Sequence, residues 1–337
     1  MITVENLSKS FRGQAGPVVA LDDVSIDVAA GTIAGVVGPS GSGKSTLARL
    51  LALQDRPDSG VIRLDGLNVA GLDPRRLRSA RSRIGVVPAG DTLLKQRTAA
   101  GNIAVPLEQA GVDGPARRTK VGQLLDLIGL TDQAATYPDQ LTAGQRRRVA
   151  VARALVGEPT VLLADEPTTE LDPDGAAGVL AALDRARAEL GATVLVATSD
   201  TGVIRKIADD VAILEQGRIL ERGSLLELVH DPDSLIARAV LPAITGAAPD
   251  PSIALDRIAD VTLIGFAAVG ALLPEAASRF NVDIAVLGGG LTRLGETPVA
   301  RFRLGLSGER ADVALGWIGE RGGLVRPAPT LPHGVAA

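Results

Sequence analysis

One glycine-rich segment restricts the fold of this chain more than any other part of its sequence. The segment follows the pattern G-x-x-x-x-G-K-[ST] and consists of Gly38, Pro39, Ser40, Gly41, Ser42, Gly43, Lys44 and Ser45, with Thr46 after it. An apolar stretch at 32–37 precedes it, and Leu47, Leu50 and Leu51 follow it at helical spacing. The motif requires this strand–loop–helix context, because the N–H groups of its loop close around a phosphate at the start of a helix.

The residue types in this loop predict how it would hold a nucleotide. We expect Lys44 to reach the β- and γ-phosphates and the Ser45 hydroxyl to ligate magnesium. The alternative is a glycine-rich turn without a ligand. We prefer the phosphate-binding interpretation because the strand and the helix that the motif needs are both predicted.

A second motif ends an apolar run at 161–166 with two acidic residues, Asp165 and Glu166. An apolar strand that ends in two acidic residues places both carboxylates at the carboxyl edge of the sheet, where open α/β sheets bind ligands. We predict that Asp165 belongs to the magnesium shell and that Glu166 orients or deprotonates the attacking water. Alone this pair is a weak signal, because strands often end in acidic residues. The phosphate loop upstream makes it a strong one.

The order of apolar and polar segments predicts two domains. Apolar strands alternate with helical patterns in the first two thirds of the chain, which indicates a mostly parallel sheet covered on both faces. Prolines are frequent at 231–258, which predicts a short helix and a linker. The elements predicted beyond it are strand 260–267, helix 270–279, strand 282–291, strand 297–306, helix 309–319 and strand 323–326. This order is βαββαβ, the ferredoxin-like arrangement, and three consecutive glycines at 288–290 predict a bulge or a close backbone approach in it.

Composition excludes several classes of function. The net charge of −4 argues against nucleic acid as a partner, and we interpret the basic run at 146–148 as a solvated helix face. The absence of cysteine excludes disulfides and thiolate chemistry, and two histidines are too few for a multi-histidine metal site. The chain opens like a strand, without a signal segment, and the charge-free stretch at 261–274 is shorter than the roughly 20 residues that span a bilayer. Any membrane association should therefore depend on a partner.

Several segments resemble one known family, the ATP-binding subunits of ABC transporters. Residues 141–145, Leu-Thr-Ala-Gly-Gln, are similar to the L-S-G-G-Q signature of these ATPases, and a helix pattern follows them. Residues 170–172, Glu-Leu-Asp, resemble their D-loop, and Phe11 stands where an aromatic ring stacks on adenine. The βαββαβ pattern and the segment 279–284 resemble the methionine-import ATPases, which carry a ferredoxin-like (ACT-like) regulatory domain.

The resemblance implies a function and a set of partners. Two copies, or one copy and another ABC ATPase, would pair head to tail at the cytoplasmic face of the cell membrane as peripheral subunits. ATP with Mg²⁺ would lie between the phosphate loop of one copy and the signature of the other, at Thr142, Ala143, Gly144 and Gln145. A membrane permease and an extracytoplasmic substrate-binding protein would complete the importer. The C-terminal domain would bind an amino acid, or serve as a dimerising domain without a ligand.

The predicted fold class is therefore α/β. It combines a P-loop NTPase domain of the ABC ATPase type, which has a helical subdomain, with a C-terminal α+β ferredoxin-like βαββαβ domain. The predicted boundaries are an ATP-binding domain at 1–230 with its helical subdomain at about 90–160, a linker at 231–258, a regulatory domain at 259–327 and a tail at 328–337.

Four residues depart from the family pattern at functional positions. Ala89 stands where a glutamine contacts magnesium, and Ser199 stands where a switch histidine contacts the γ-phosphate. Ala143 replaces a signature glycine, and Glu170 replaces a small D-loop residue. Removing one preorganised donor from an active site costs roughly 100- to 1000-fold in rate, about 3–4 kcal/mol. We therefore expect ATP binding to persist and hydrolysis to be slow.

Two functions follow from these observations. The first is an ATPase that drives amino-acid import, with methionine the expected cargo and another substrate the alternative. The second is a degenerate nucleotide-binding or regulatory subunit that hydrolyses little ATP and pairs with a competent partner. Glu166 and the phosphate loop favour the first, whereas Ala89 and Ser199 favour the second.

Overall fold

The structure is a computed structural model that describes residues 1–13, 16–69, 71–231, 233–244 and 255–328. It divides into two compact units, Met1–Leu225 and Leu226–Ala337. Residues 245–254 of the predicted linker and all but residue 328 of the predicted tail lie outside the described residues. None of the helices within the described part of the chain has the length and apolar character needed to cross a bilayer.

The strands of the first unit form two sheets. They are β1 (Ile2–Gly13), β2 (Gly16–Val28), β3 (Ile33–Val37), β4 (Ser59–Leu64), β5 (Leu67–Asn68), β6 (Ile84–Val87), β7 (Val161–Asp165), β8 (Thr193–Thr198), β9 (Asp210–Glu215) and β10 (Arg218–Ser224). An antiparallel sheet has the order β2-β1-β4-β5, and a six-stranded sheet has the order β10-β9-β3-β8-β7-β6. In the larger sheet every pair is parallel except β9 with β10. The predicted mostly parallel sheet is thus confirmed.

The helices of this unit cover the larger sheet. They are α1 (Lys44–Leu51), α2 (Pro74–Arg81), α3 (Ala99–Gln109), α4 (Gly114–Leu127), α5 (Ala143–Leu155), α6 (Pro173–Leu190) and α7 (Thr201–Ile207), with short 3₁₀ turns at Thr131–Gln133 and Pro138–Gln140. Alternate residues of β7 enter different cores: Leu162 packs with residues of α3 to α6, whereas Leu163 packs with residues of α1 and β1. Burial on both faces explains why β3, β7 and β8 are continuous apolar runs.

The second unit contains an antiparallel sheet with its two longest helices packed against one face. Helix α8 (Leu225–Leu228) begins at the last residue of the first unit. The other elements are α9 (Leu235–Val240), β11 (Arg257–Ile264), α10 (Phe266–Val269), α11 (Leu272–Phe280), β12 (Asp283–Leu294), β13 (Thr297–Ser307), α12 (Ala311–Glu320) and β14 (Leu324–Pro327). The sheet order is β12-β13-β11-β14, which confirms the predicted βαββαβ arrangement. The register of β12 shifts between Val286 and Gly288, where the glycines predicted a bulge.

Two helices of the first unit approach closely at a pair of glycines. A methyl group on Gly144, at the start of α5, would lie 2.6 Å from the Cα of Gly175 at the start of α6. We expect Gly144→Ala to lower the melting temperature, because overpacking of this kind costs ~1–3 kcal/mol. Gly122 is the matched control: it is exposed on α4, and nothing lies within 4 Å of its methyl position.

The control should change stability in the opposite direction. Alanine is favoured over glycine in a helix interior by about 0.5–1 kcal/mol, so Gly122→Ala should raise the melting temperature. Calorimetric scans of the parent and both variants measure this. Equal shifts for the two variants would show that the contact between Gly144 and Gly175 is not tight.

Candidate functional site

The phosphate loop joins the end of β3 to the start of α1, and two of its glycines are required by close neighbours. A methyl group on Gly38 would lie 2.0 Å from the carbonyl oxygen of Leu214. One on Gly43 would lie 2.4 Å from the carbonyl oxygen of Ala20, and Gly43 has a φ of 109°. Any other residue at these positions would displace the backbone, so the loop keeps a shape in which its N–H groups can meet an anion.

Lys44 lies folded over the same loop. Its ammonium group is buried and donates to the carbonyl oxygens of Gly38, at 2.8 Å, and Pro39, at 3.0 Å. It also lies 3.7 Å from Oε1 of Glu166. Ser45 and Thr46 occupy the first turn of α1, and Pro39 and Ser40 are exposed residues of the loop. The lysine is thus placed beside the predicted phosphate position and the predicted base at once.

Asp165 ends β7 with an unusual carboxylate. Its Oδ1 is buried and has no hydrogen-bond partner among the described residues. Burial raises the pKa of Asp165, the Ser45 hydroxyl opposes this by hydrogen bonding, and the charge of Glu166 adds to the rise. A buried oxygen without a donor fits a cation, and Mg²⁺ prefers oxygen ligands of this kind.

Asp165 and Ser45 would be the protein's ligands for magnesium. Among the described residues there is no group of three or more histidine or acidic side chains that would hold a metal ion by itself. Any ion here therefore needs further oxygen ligands from nucleotide phosphates and water, as Mg²⁺ commonly does in proteins that bind nucleotides.

Glu166 is fixed by Ser199 and by two threonines that the sequence did not single out. Its Oε2 accepts hydrogen bonds from the hydroxyls of Thr169 and Thr198, each at 3.1 Å. It also accepts from Ser199, through the backbone N–H at 3.2 Å and the hydroxyl at 3.5 Å. The backbone of Glu166 has a φ of 45°, which is uncommon for a residue other than glycine and is typical of functional sites.

The sequence contains one signal that would have found Thr198. It is the last residue of β8, the strand beside β7, and the ends of adjacent parallel strands meet at one edge of the sheet. Ser199 directly follows Thr198. The position at which the family pattern has a histidine therefore lies against the carboxylate of Glu166.

The signature segment starts α5 with a reciprocal cap. The Thr142 hydroxyl accepts from the Gln145 N–H at 3.2 Å, and Oε1 of Gln145 accepts from the Thr142 N–H at 2.8 Å. Ala143 and Gly144 form the first turn of the helix. No hydrogen bond or ion pair between described residues joins this segment to the phosphate loop. Its positive helix end is available to an anion from elsewhere.

The basic run of α5 is not a solvated face, so that interpretation is wrong. Arg147 is buried and donates to the carbonyl oxygen of Pro88 at 2.8 Å. Arg146 pairs with Asp91 at 2.8 Å, and Arg153 donates to the carbonyl oxygen of Thr92 at 2.9 Å. These contacts hold the segment around Ala89 against the signature helix, and periodicity alone did not indicate how α5 is rotated.

Phe11 of β1 pairs with Val18 of β2, two residues before Ala20, whose carbonyl oxygen lies beside Gly43 of the phosphate loop. Phe11 is 42% exposed, and the Lys9 ammonium lies 5.5 Å from its ring centroid. An exposed aromatic face with a cation beside it offers a stacking surface for a base.

Two family models match the chain. The model described as ABC transporter matches residues 21–169, and the model described as NIL domain matches residues 257–325. The methionine import ATP-binding protein MetN of Thermobifida fusca (strain YX) is 43% identical over 329 residues, which cover 98% of this chain and 100% of that protein. The protein of the same name from Streptomyces avermitilis is 41% identical over 331 residues, 96% of this chain and 94% of that protein.

Solved structures resemble the first part of the chain. A dimeric ATP-binding cassette in a post-hydrolysis state, bound to ADP and Pi, superimposes with a TM-score of 0.61 at 31% identity. It covers 66% of this chain and 98% of its own. The protein cbiO1 from Clostridium perfringens, part of the ABC transporter complex cbiONQ, has a TM-score of 0.60 at 28% identity and covers 66% of this chain and 88% of its own.

The raised pKa of Asp165 predicts a pH-dependent cost to stability. The folded chain holds the proton of this carboxyl more tightly than the unfolded chain does, so the ionised group destabilises the ligand-free fold at neutral pH. This cost disappears as the pH falls through the folded pKa to below the unfolded value of about 3.9. We expect Asp165→Asn to raise the melting temperature at pH 7, and the gain to shrink toward pH 4.

Scanning calorimetry across this pH range is the measurement, with Asp126→Asn as the control on the exposed side of α4. Adding ATP and magnesium should stabilise the parent more than Asp165→Asn, because the cation compensates the carboxylate. A gain for Asp165→Asn that does not depend on pH would contradict this assignment of its cause.

Thr198 should affect turnover more than nucleotide affinity. A hydrogen bond to a charged group contributes ~1.5–3 kcal/mol, so we expect Thr198→Val to lower kcat by about tenfold or more. Thr198→Val should leave the Kd for ATP nearly unchanged, because the hydroxyl contacts Glu166. Steady-state ATPase assays and nucleotide titrations separate the two quantities. The control is Thr119→Val on the exposed side of α4, and equal kcat losses in both variants would contradict a positioning role.

Proposed function

The chain belongs to the family of methionine import ATP-binding proteins, and from this we propose that it hydrolyses ATP to drive methionine uptake through a separate permease. Its assignment as the ATP-binding, ATP-hydrolysing subunit of an ABC transporter follows from the family itself. The choice of methionine rests on the relatives of that name, which align over nearly the whole chain. The observation that carries the chemistry is the approach of Lys44, Asp165 and Glu166 at one edge of the sheet.

Each residue of the site would do a separate part of the reaction. Lys44 would exchange the carbonyl oxygens of Gly38 and Pro39 for phosphate oxygens, since three donors on an ammonium can be redirected at little cost. Glu166 would orient the attacking water and accept its proton, with Oε2 held by the donors of Thr169 and Thr198. Bound magnesium would neutralise charge on the phosphates as the bond to the γ-phosphate breaks.

The remaining parts of the site would come from a second subunit. Between described residues, no hydrogen bond or ion pair joins the capped start of α5 to the phosphate loop, so this helix end would meet a nucleotide held by a partner copy. The similar cassette bound to ADP and Pi is a dimer. The proposed complex includes a permease and an extracytoplasmic substrate-binding protein, with this subunit peripheral at the cytoplasmic face.

The degenerate alternative finds no support among the relatives, which are named as import ATP-binding proteins. Ser199 donates its backbone N–H to Oε2 of Glu166, so the carboxylate has this donor whatever side chain stands at position 199. We therefore propose a working ATPase in which hydroxyl and N–H donors position the base.

The C-terminal domain would regulate this activity by binding an amino acid. The proposal rests on the NIL domain match and on the family that carries such domains. Titration of the full chain with methionine, at saturating ADP and magnesium, tests it. Absence of a binding isotherm would limit this domain to dimerisation.

The decisive variant for ATP hydrolysis is Glu166→Gln, which keeps the shape of the side chain and removes the base. We expect kcat to fall at least 100-fold, because proton transfer by a positioned group contributes roughly 10²- to 10⁴-fold. ATP binding should persist, because the loop and Lys44 are unchanged. Glu189→Gln on α6 is the exposed control. Retention of more than a tenth of the parent's kcat in Glu166→Gln would contradict the assignment of Glu166 as the base.

A further inference from the structure

The C-terminal sheet has a second face, which the helices α11 and α12 do not cover. Val261 and Leu304 belong to the core beneath those helices, together with Ile318 of α12. Because side chains alternate along a strand, the neighbours of these residues on β11 and β13 point to the opposite face. An uncovered sheet face normally carries mixed polar residues, whereas this face carries charged ones.

The strand register assembles the charges into two rows. Asp260 of β11 lies opposite Arg303 of β13 and Arg326 of β14. One step along, Thr262 lies opposite Arg301 of β13 and Leu324 of β14. Side chains directly opposite each other on adjacent strands interact, so these six positions form one continuous surface.

Helix α9 and the turn before it complete a cavity over this surface. The cavity has a volume of about 250 Å³, and its walls include Ala237 and Arg238 on one side and Thr262, Arg301 and Arg326 on the other. All of these residues belong to the second compact unit. We refer to this feature as the arginine cavity.

The charges of the arginine cavity are not balanced. Asp260 is engaged by Arg303 in a bidentate pair at 2.7 and 2.9 Å. Asp233 lies at 3.5 Å from Arg326 and 3.6 Å from Arg238, distances at which an exposed pair is weak. Arg301 is half-buried, and its guanidinium has no ion pair or side-chain hydrogen bond with any described residue.

We propose that the arginine cavity binds a small anion that carries a phosphate or carboxylate group and two negative charges. Three arginines and two aspartates line the cavity, and Arg303 beside it pairs with Asp260. Together these four arginines and two aspartates leave two positive charges, on a chain whose net charge is −4. Guanidinium groups match phosphate and carboxylate oxygens in bidentate geometry, and Thr262 adds a hydroxyl donor. The cavity is smaller than the ~300–1,000 Å³ that drug-sized ligands occupy, which suits a small ion.

This inference goes beyond the proposed function and does not depend on it. A zwitterionic amino acid such as methionine has no net charge, so it would not neutralise the excess of the cavity. Binding of methionine elsewhere on the domain is compatible with an anion in the arginine cavity.

The test is calorimetric titration of the full chain with inorganic phosphate and, separately, with succinate. The phosphate loop is first saturated with a non-hydrolysable ATP analogue and magnesium, which also fills the γ-phosphate position, so that the nucleotide site does not compete for the phosphate. The variant is Arg301→Gln, and the matched control is Arg310→Gln, which removes the same charge from an exposed position of the same domain. Arg326→Gln is the second variant, in case Arg301→Gln does not fold.

Binding of phosphate, succinate or both by the parent would support the proposal, if Arg301→Gln or Arg326→Gln weakens it at least tenfold and Arg310→Gln changes it less than twofold. The ligand that binds identifies phosphate or carboxylate as the preferred group. The proposal would be overturned by binding that is equal in all three variants, by no binding of either anion, or by binding of methionine alone that depends on Arg301.

Discussion

The parallel register of three buried strands is the constraint on which the rest of the site depends. Val37 of β3 pairs with Thr198 of β8, and Ala197 of β8 pairs with Asp165 of β7. The phosphate loop, the two acidic residues and the hydroxyl of Thr198 therefore leave the sheet at one edge. Cores on both faces hold that register, since a slip by one residue would exchange the side chains that pack into the two cores. The reacting groups are thus positioned by the packing of apolar side chains that take no part in the reaction.

The ligand-free site lowers the stability of the fold, and the packing of the core offsets this loss. Asp165 holds a buried oxygen without a donor, and Glu166 takes an uncommon backbone conformation. Both features cost free energy, and a bound cation would recover the part due to Asp165, which couples ligand binding to stability. The contacts of Arg147 and Arg153 with the segment 88–92 join this edge of the sheet to the signature helix. A change at the nucleotide can therefore reach the helical part through direct contacts.

The sequence predicted those features that depend on local pattern. The phosphate loop has a fixed spacing, the strands are apolar runs, and the βαββαβ order follows from alternation, so each could be read from neighbouring residues. The burial of Arg147 and the contact of Thr198 with Glu166 could not be predicted from neighbouring residues. They depend on the rotation of a helix and on pairing between strands that are far apart in sequence. The arginine cavity is a similar case: its residues come from three strands and a helix, and only the register places them together.

The central claim is that hydroxyl and N–H donors, without an imidazole, position the base for hydrolysis. The most direct test is the pH dependence of kcat between pH 6 and 8 at saturating ATP and magnesium, for the parent and Ser199→His. The account predicts no ionisation near pH 6.5 in the parent and a new one in the variant, since unperturbed histidine titrates at about that pH. A parent profile that already contains an ionisation near 6.5, unchanged in Ser199→His, would contradict it.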